Sequence, residues 1–291
     1  MQRIFRVALA VSLATPVFAA TPVDQRAAVA ADARIDISSP RGTLRITGWD
    51  QPELAISGTL GTHAKRVDVT GDEHHRSVTV EFGTGFFTTR EDTVLDIHVP
   101  HTAVLAIDIA SADVAVTAVD GSPLTVKGSS GDVKLDTNAA RVDVESASGD
   151  VGVRGRTIDT TIHTASGDIK IHGIGGKLHL RSRSGDIEGV LADYTDVDAK
   201  TTSGDVDLGG TPAAGSRMAI ATTSGDVDLS LPAGMPMRIT ATTSSGEIRS
   251  DFGTVAPSAG GDHRSLAATV GTGTDPVDIR TTSGDIEIRR Q

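Results

Sequence analysis

The chain has 291 residues, 38% of them hydrophobic, a formal charge of −11 and no cysteine. It is long and apolar enough to bury a core, while the missing thiols exclude disulfides, thiol catalysis, cysteine-ligated metals and the anchor cysteine of bacterial lipoproteins. The acidic balance argues against nucleic acid, whose binding depends on Lys and Arg neutralising phosphates, and leaves solubility as the plain role of the charge.

Residues 1–20 read as a secretory signal peptide. Arg3 and Arg6 make a positive start, residues 7–13 form a short apolar run, and Val17-Phe18-Ala19 presents small residues where a signal peptidase cuts. Cleavage after Ala19 or Ala20 would take the formal charge from −11 to −13. Thr15-Pro16 stops the apolar run short of the roughly 20 residues that a spanning helix needs, and no later segment approaches that length. The mature chain is therefore expected to be periplasmic or secreted, without a transmembrane segment.

From residue 33 to residue 100 the chain alternates polar and apolar residues in ARIDIS, GTLRIT, ELAISG, RVDVTG, RSVTVEF and TVLDIHVP. Residues 21–102 are read as a β cap or a set of irregular rungs, because the first strand of a stack needs its edge covered. FGTGFF, with Phe82, Phe86 and Phe87, suits a hydrophobic cap or loop better than a ligand pocket.

Residues 103–291 repeat. Ser-Gly-Asp, or a close variant, places glycines at 131, 149, 167, 185, 204, 225, 246 and 284, first 18 and later 21 residues apart. Seven and five residues before the glycine stand pairs such as Leu124/Val126, Val142/Val144, Met218/Ile220 and Val277/Ile279. Two and four after it stand Val133/Leu135, Val206/Leu208 and Ile286/Ile288. Alternation with period two marks strands with one buried face, and its phase changes at the glycine, which is therefore a corner.

Two strands and two turns fill such a period and leave no room for a helix. One unit cannot bury its apolar face alone, but stacked units can. The expected fold is an all-β solenoid, a single-stranded right-handed parallel β-helix with two facing strands per rung; a stack of antiparallel hairpins is the rival. The 38-residue gap between Gly246 and Gly284 predicts one degenerate rung within it, and Arg289-Arg290-Gln291 would then charge the last strand.

Hydroxyls fill two further columns. Ser146, Thr164, Ser182, Thr201, Thr222, Thr243 and Thr281 lie three before the glycine, and a serine lies one before it in every copy. Both are read as internal struts, bonded to one another from rung to rung. After the glycine come Asp150, Asp168, Asp186, Asp205 and Asp226, whose carboxylates would line one edge and could attract a cation weakly. Calcium wants six to eight converging oxygens, which a line of single carboxylates does not offer, and the nine histidines share no ligand spacing, so no metal site and no cofactor are expected. Residues 250–276 interrupt the rungs, and Asp251, Asp262, His263 and Arg264 are the candidates for ligand recognition there.

The opening GTLRITGWD, the strand ending at Val99-Pro100, the SGDV and SGDI corners and the closing VGTGTDPVDIRTTSGDIEI resemble the DUF4097 β-strand repeat proteins, labelled "putative adhesin". The resemblance spans nearly the whole mature chain. It implies a β-solenoid-like envelope protein without established catalytic residues, an adhesin-like binder of an envelope protein or glycan; a scaffold role and, further off, a β-helical polysaccharide-active enzyme are the alternatives. With no G-x-S-x-G elbow, H-E-x-x-H pair or phosphate loop, and with few aromatic residues for sugar stacking, no catalytic residue is assigned.

Overall fold

The computed structural model describes residues 21–83, 92–121, 123–257 and 264–291. Residues 1–20, read as a signal peptide, and Phe86, Phe87, Asp262 and His263 lie outside them. Every regular element among the described residues is a strand. The N-terminal part supplies β1 (Thr21–Ala28), β2 (Arg34–Trp49), β3 (Glu53–Leu60), β4 (Ala64–Gly71), β5 (His75–Phe82) and β6 (Val94–Pro100). Next come β7 (Val104–Thr117), β8 (Leu124–Ser130), β9 (Val133–Thr137), β10 (Arg141–Ser148), β11 (Val151–Gly155), β12 (Asp159–Ser166) and β13 (Ile169–Arg181). The chain continues through β14 (Ile187–Lys200), β15 (Val206–Ala221), β16 (Val227–Leu231), β17 (Met237–Ser245) and β18 (Ile248–Ser250). It ends in β19 (Ala256–Pro257), β20 (Arg264–Val270), β21 (Asp275–Ser283) and β22 (Ile286–Arg290).

These strands form two parallel ladders around one core. On the first face, built from the arms that precede each corner, Val144 lies between Val126 and Ile162. On the second face, built from the arms that follow it, Val153 lies between Leu135 and Ile171. Within the repeats the pairing is parallel, which removes the antiparallel-hairpin rival and leaves a solenoid-like stack. The apolar columns point inward, with Leu124, Val142, Leu178, Val206 and Ile286 each 0% exposed. The stretch read as a β cap or irregular rungs shares this core, since Ile35, Leu44 and Ile97 belong to the same cluster.

The change of period is absorbed at the second corner, away from Ser-Gly-Asp. Between β14 and β15 the register slips around Tyr194 and then returns to Val197↔Met218. A corner can lengthen there without shifting which residues face the core, because each strand re-enters the ladder in phase.

Both chain ends depart from sequence order. The first rung, β2, pairs on one side with β7 and on the other with β5 and β6, while β4 and β3 add antiparallel outer strands. The last rung, β21 and β22, enters between β15/β16 and β17/β18. Among the described residues, no degenerate rung separates Gly246 from Gly284. Instead, β20 folds back antiparallel onto β17 as a cap, and the chain then returns to fill the slot beneath it. Arg289 and Arg290 accordingly sit on an inner rung rather than on a terminal strand.

The sequence of rung 246 accounts for its terminal place. Glu247 stands where other rungs carry Asp, and half-buried Ser250 stands where Leu229 and Ile288 are buried.

Candidate functional site

The Ser-Gly-Asp corner is built for stacking. A Cβ on Gly149, Gly167, Gly185, Gly204 or Gly225 would run into the carbonyl oxygen of the glycine one rung before. Close approach, more than backbone freedom, therefore requires the glycine: among these corners only Gly131, Gly149 and Gly284 have positive φ. The aspartate continues the ladder. Oδ1 of Asp132, Asp150, Asp168, Asp186 and Asp205 accepts the backbone N–H of the next aspartate at 2.8 to 3.1 Å. One oxygen of each carboxylate on the expected cation edge is thus engaged within the fold, and among the described residues no three His, Asp or Glu side chains gather as a metal set.

The hydroxyl columns differ from expectation. Thr201, Thr222, Thr243 and Thr281 donate to the carbonyl of the glycine on the neighbouring rung at 2.9 to 3.1 Å, and only Thr164 to Ser182, 3.0 Å, bonds hydroxyl to hydroxyl. Ser148, Ser166, Ser184, Ser203, Ser224 and Ser283 are exposed rather than internal. The chain has begun to turn by that position, so inward phase no longer applies.

Asp251 and Arg264, expected to recognise a ligand, have structural contacts. Asp251 follows β18; its Oδ2 accepts the Arg290 N–H at 3.0 Å and its own N–H donates to Ile288 O, so it seals the second face where β18 ends. Arg264 opens β20 and lies 3.8 Å from Glu247, which also meets Arg249 at 2.9 Å. Asp251 and Arg264 thus meet different partners, Arg290 and Glu247.

A broad concavity lies elsewhere, on the outside of the second face. Its volume is about 660 Å3, and it crosses successive rungs from Thr117 to Ser230. Outward positions of β9, β11 and β13 give it Lys134, Arg154, Lys170 and His172, while β14 and β15 give it Glu188 and Asp207. Gly152 occupies an outward position in the same rows and adds no side chain, which leaves the hollow open there, whereas Gly209 is covered by the side chain of Gln291.

The groove is therefore only partly polarised: Lys134, Arg154 and Lys170 make one half basic although Asp136 lies beside Arg154, and Glu188 and Asp207 make the other half acidic. Lys170 and Glu188 meet across its middle at 3.8 Å. Beyond Asp207 the acidic row continues to Asp228, where burial holds the carboxyl above its ordinary range; Arg289, 3.8 Å away, opposes that shift, and Glu287, Asp207 and Asp226 reinforce it. Val190, 51% exposed, adds an apolar spot to the acidic half. Such a surface can hold a partner through charge and shape. It contains no nucleophile hydrogen-bonded to a base, the arrangement covalent catalysis relies on.

This groove escaped the reading of the sequence. Its signal was Gly152, in a column that carries Lys134, Lys170, Glu188 and Asp207 on the other rungs.

A family model described as Toastrack DUF4097 matches residues 32–289. Among solved structures, the chain is similar to a putative adhesin from Bacteroides fragilis at 14% identity, covering 92% of this chain and 97% of that one, with a TM-score of 0.44. A putative adhesin from Parabacteroides distasonis is similar at 10% identity over 92% and 97%, TM-score 0.36. A putative cell adhesion protein from Clostridium sporogenes matches at 10% identity over 93% and 100%, TM-score 0.24. No curated protein matches the chain. Among the described residues, no helix is long and apolar enough to cross a membrane.

Proposed function

The chain belongs to the DUF4097 (Toastrack) family, and from that premise we propose that it is an exported, non-catalytic, adhesin-like binding module of the bacterial cell envelope that holds a protein or glycan partner in the groove of its second face. The carrying observation is the hollow of about 660 Å3 whose charged lining stands on paired strands. Groups held on strands are fixed before a partner arrives, so little ordering entropy is lost on binding. The partner that suits the groove carries an anionic group for Lys134, Arg154 and Lys170 and a cationic or hydroxyl group for Glu188 and Asp207.

A pull-down from envelope extract with residues 21–291, with and without millimolar calcium, followed by mass spectrometry and glycan analysis, tests this reading. We expect a saturable partner that is lost with Arg154→Glu and Lys170→Glu together. Capture unaffected by the reversal, or an empty pull-down, would sink the groove as the binding site. Export is tested by fractionating cells that express the full chain; retention in the cytoplasm refutes it.

One observation favours a second reading. The rungs β2 and β21/β22, nearest the two ends of the chain, are enclosed within the stack, which resists fraying and suits a load-bearing envelope scaffold. Binding that survives the charge reversal but vanishes when the fold is melted would favour the scaffold.

A further inference from the structure

A stack of strands has four terminal edges here, two at each end, and each exposes backbone N–H and C=O groups that can pair with another chain. Three are guarded. β4 carries Lys65, Arg66 and Asp68; β1 carries Pro22, Asp24 and Arg26; β18 is three residues long and centres on Arg249. The fourth edge belongs to β20. Its inner side pairs with β17 along the full strand, but on its outer side β19 covers only Arg264 and Ser265. Leu266-Ala267-Ala268-Thr269-Val270 has no strand partner on that outer side among the described residues, and it contains neither charge nor proline.

We propose that this edge pairs antiparallel with the β20 edge of a second copy of the chain, joining two stacks end to end. The composition favours self-pairing. With the two-fold axis at Ala268, Leu266 lies opposite Val270 of the second copy and Ala267 opposite Thr269, so no like charges meet and each apolar pair stays on one face. Leu266 and Ala268 already point into the core, whereas Ala267 and Thr269 are exposed, so the inner faces of the two copies align. Five residues give an added ladder of about 17 Å.

Such a contact is isologous and closes on itself. The guarded edges at the opposite end prevent the pair from growing into a filament, and a dimer is the expected species.

The test is the mass of residues 21–291 in solution, by sedimentation velocity and light scattering at tens of micromolar, for the native chain and for Thr269→Lys, Ala267→Lys and the control Thr202→Lys. Lysine at 269 or 267 places a charge on the edge without entering the core, and circular dichroism verifies the fold of each variant. We expect twice the protomer mass for the native chain and for Thr202→Lys, and a dimer dissociation constant raised at least about tenfold in Thr269→Lys and Ala267→Lys, with the single protomer mass dominant. A monomeric native chain overturns the proposal, as does a dimer that persists in both edge variants. The groove lies on other strands, so failure here leaves the binding reading untouched.

Discussion

The backbone N–H of Asp285 donates to Oδ1 of Asp226 at 2.7 Å across 59 residues of sequence, and Asp285 Oδ1 in turn accepts the N–H of Glu247 at 2.8 Å. The aspartate ladder therefore runs 205, 226, 285, 247, and the C-terminal rung is an inner one. Its apolar residues Val277, Ile279, Ile286 and Ile288 are at most 3% exposed. Hydrogen exchange should reflect this position. Amides of Ile286 and Ile288 are expected to exchange as slowly as those of Val206 and Leu208, at least about a thousandfold below the unfolded rate. Fast exchange over residues 286–288 would mean that the last rung frays like an ordinary chain end.

Replacing members of the ladder separates its hydrogen bond from its charge. Asp226→Asn retains an acceptor for the Asp285 N–H and should change stability by less than about 0.5 kcal/mol. Asp226→Ala removes the acceptor and should cost about 1 kcal/mol in denaturant unfolding. Ile220→Asp, which buries a carboxylate at a position 1% exposed, should unfold several rungs together. Equal losses for Asp226→Asn and Ile220→Asp would reverse the assignment of inward and outward columns.

The core columns were legible in the sequence because period-two alternation and a recurring glycine fix which residues point inward. The order of the rungs was harder to read. Val227/Leu229 and Ile286/Ile288 present nearly the same inward shape, so pattern alone fits either into the same slot. What distinguishes the terminal rung is one methylene at Glu247 and one hydroxyl at Ser250. Serine was misplaced because its column shares the parity of the buried threonines, whereas the turn starts before the glycine is reached. The groove depends on outward residues, which packing does not constrain to any period.

The corner glycines should divide by what surrounds them. A Cβ on Gly225 would strike the backbone oxygen of Gly204, whereas Gly234 has open space around it. Gly225→Ala is expected to cost about 3 kcal/mol, because the neighbouring rung cannot retreat without breaking its own ladder. Gly234→Ala should be neutral or stabilise by about 0.5 kcal/mol through the unfolded state. Thermal unfolding of the two variants side by side measures the difference, and comparable behaviour would remove close approach as the reason for the glycine column.

One ion pair on the first face should give the protein a measurable acid response. Arg181 Nη2 lies 2.6 Å from Asp198 Oδ2 and Lys200 Nζ lies 3.1 Å from Oδ1. The hydrogen bond from Arg181, more than the help from Lys200, holds the Asp198 carboxyl down at about 2, against a resisting effect of burial. A carboxyl whose folded pKa lies below its unfolded one stabilises the fold above the unfolded pKa, and that stabilisation fades as pH falls from about 4 to about 2. Solvent screens the pair, so its worth is about 1 kcal/mol at most. Arg181→Met should therefore be less stable than the native chain by about that amount at pH 7, with the difference shrinking below pH 4 and gone only below about pH 2. A stability difference that stays constant across that range would place the contribution of Arg181 in the packing of its aliphatic stem instead of its charge.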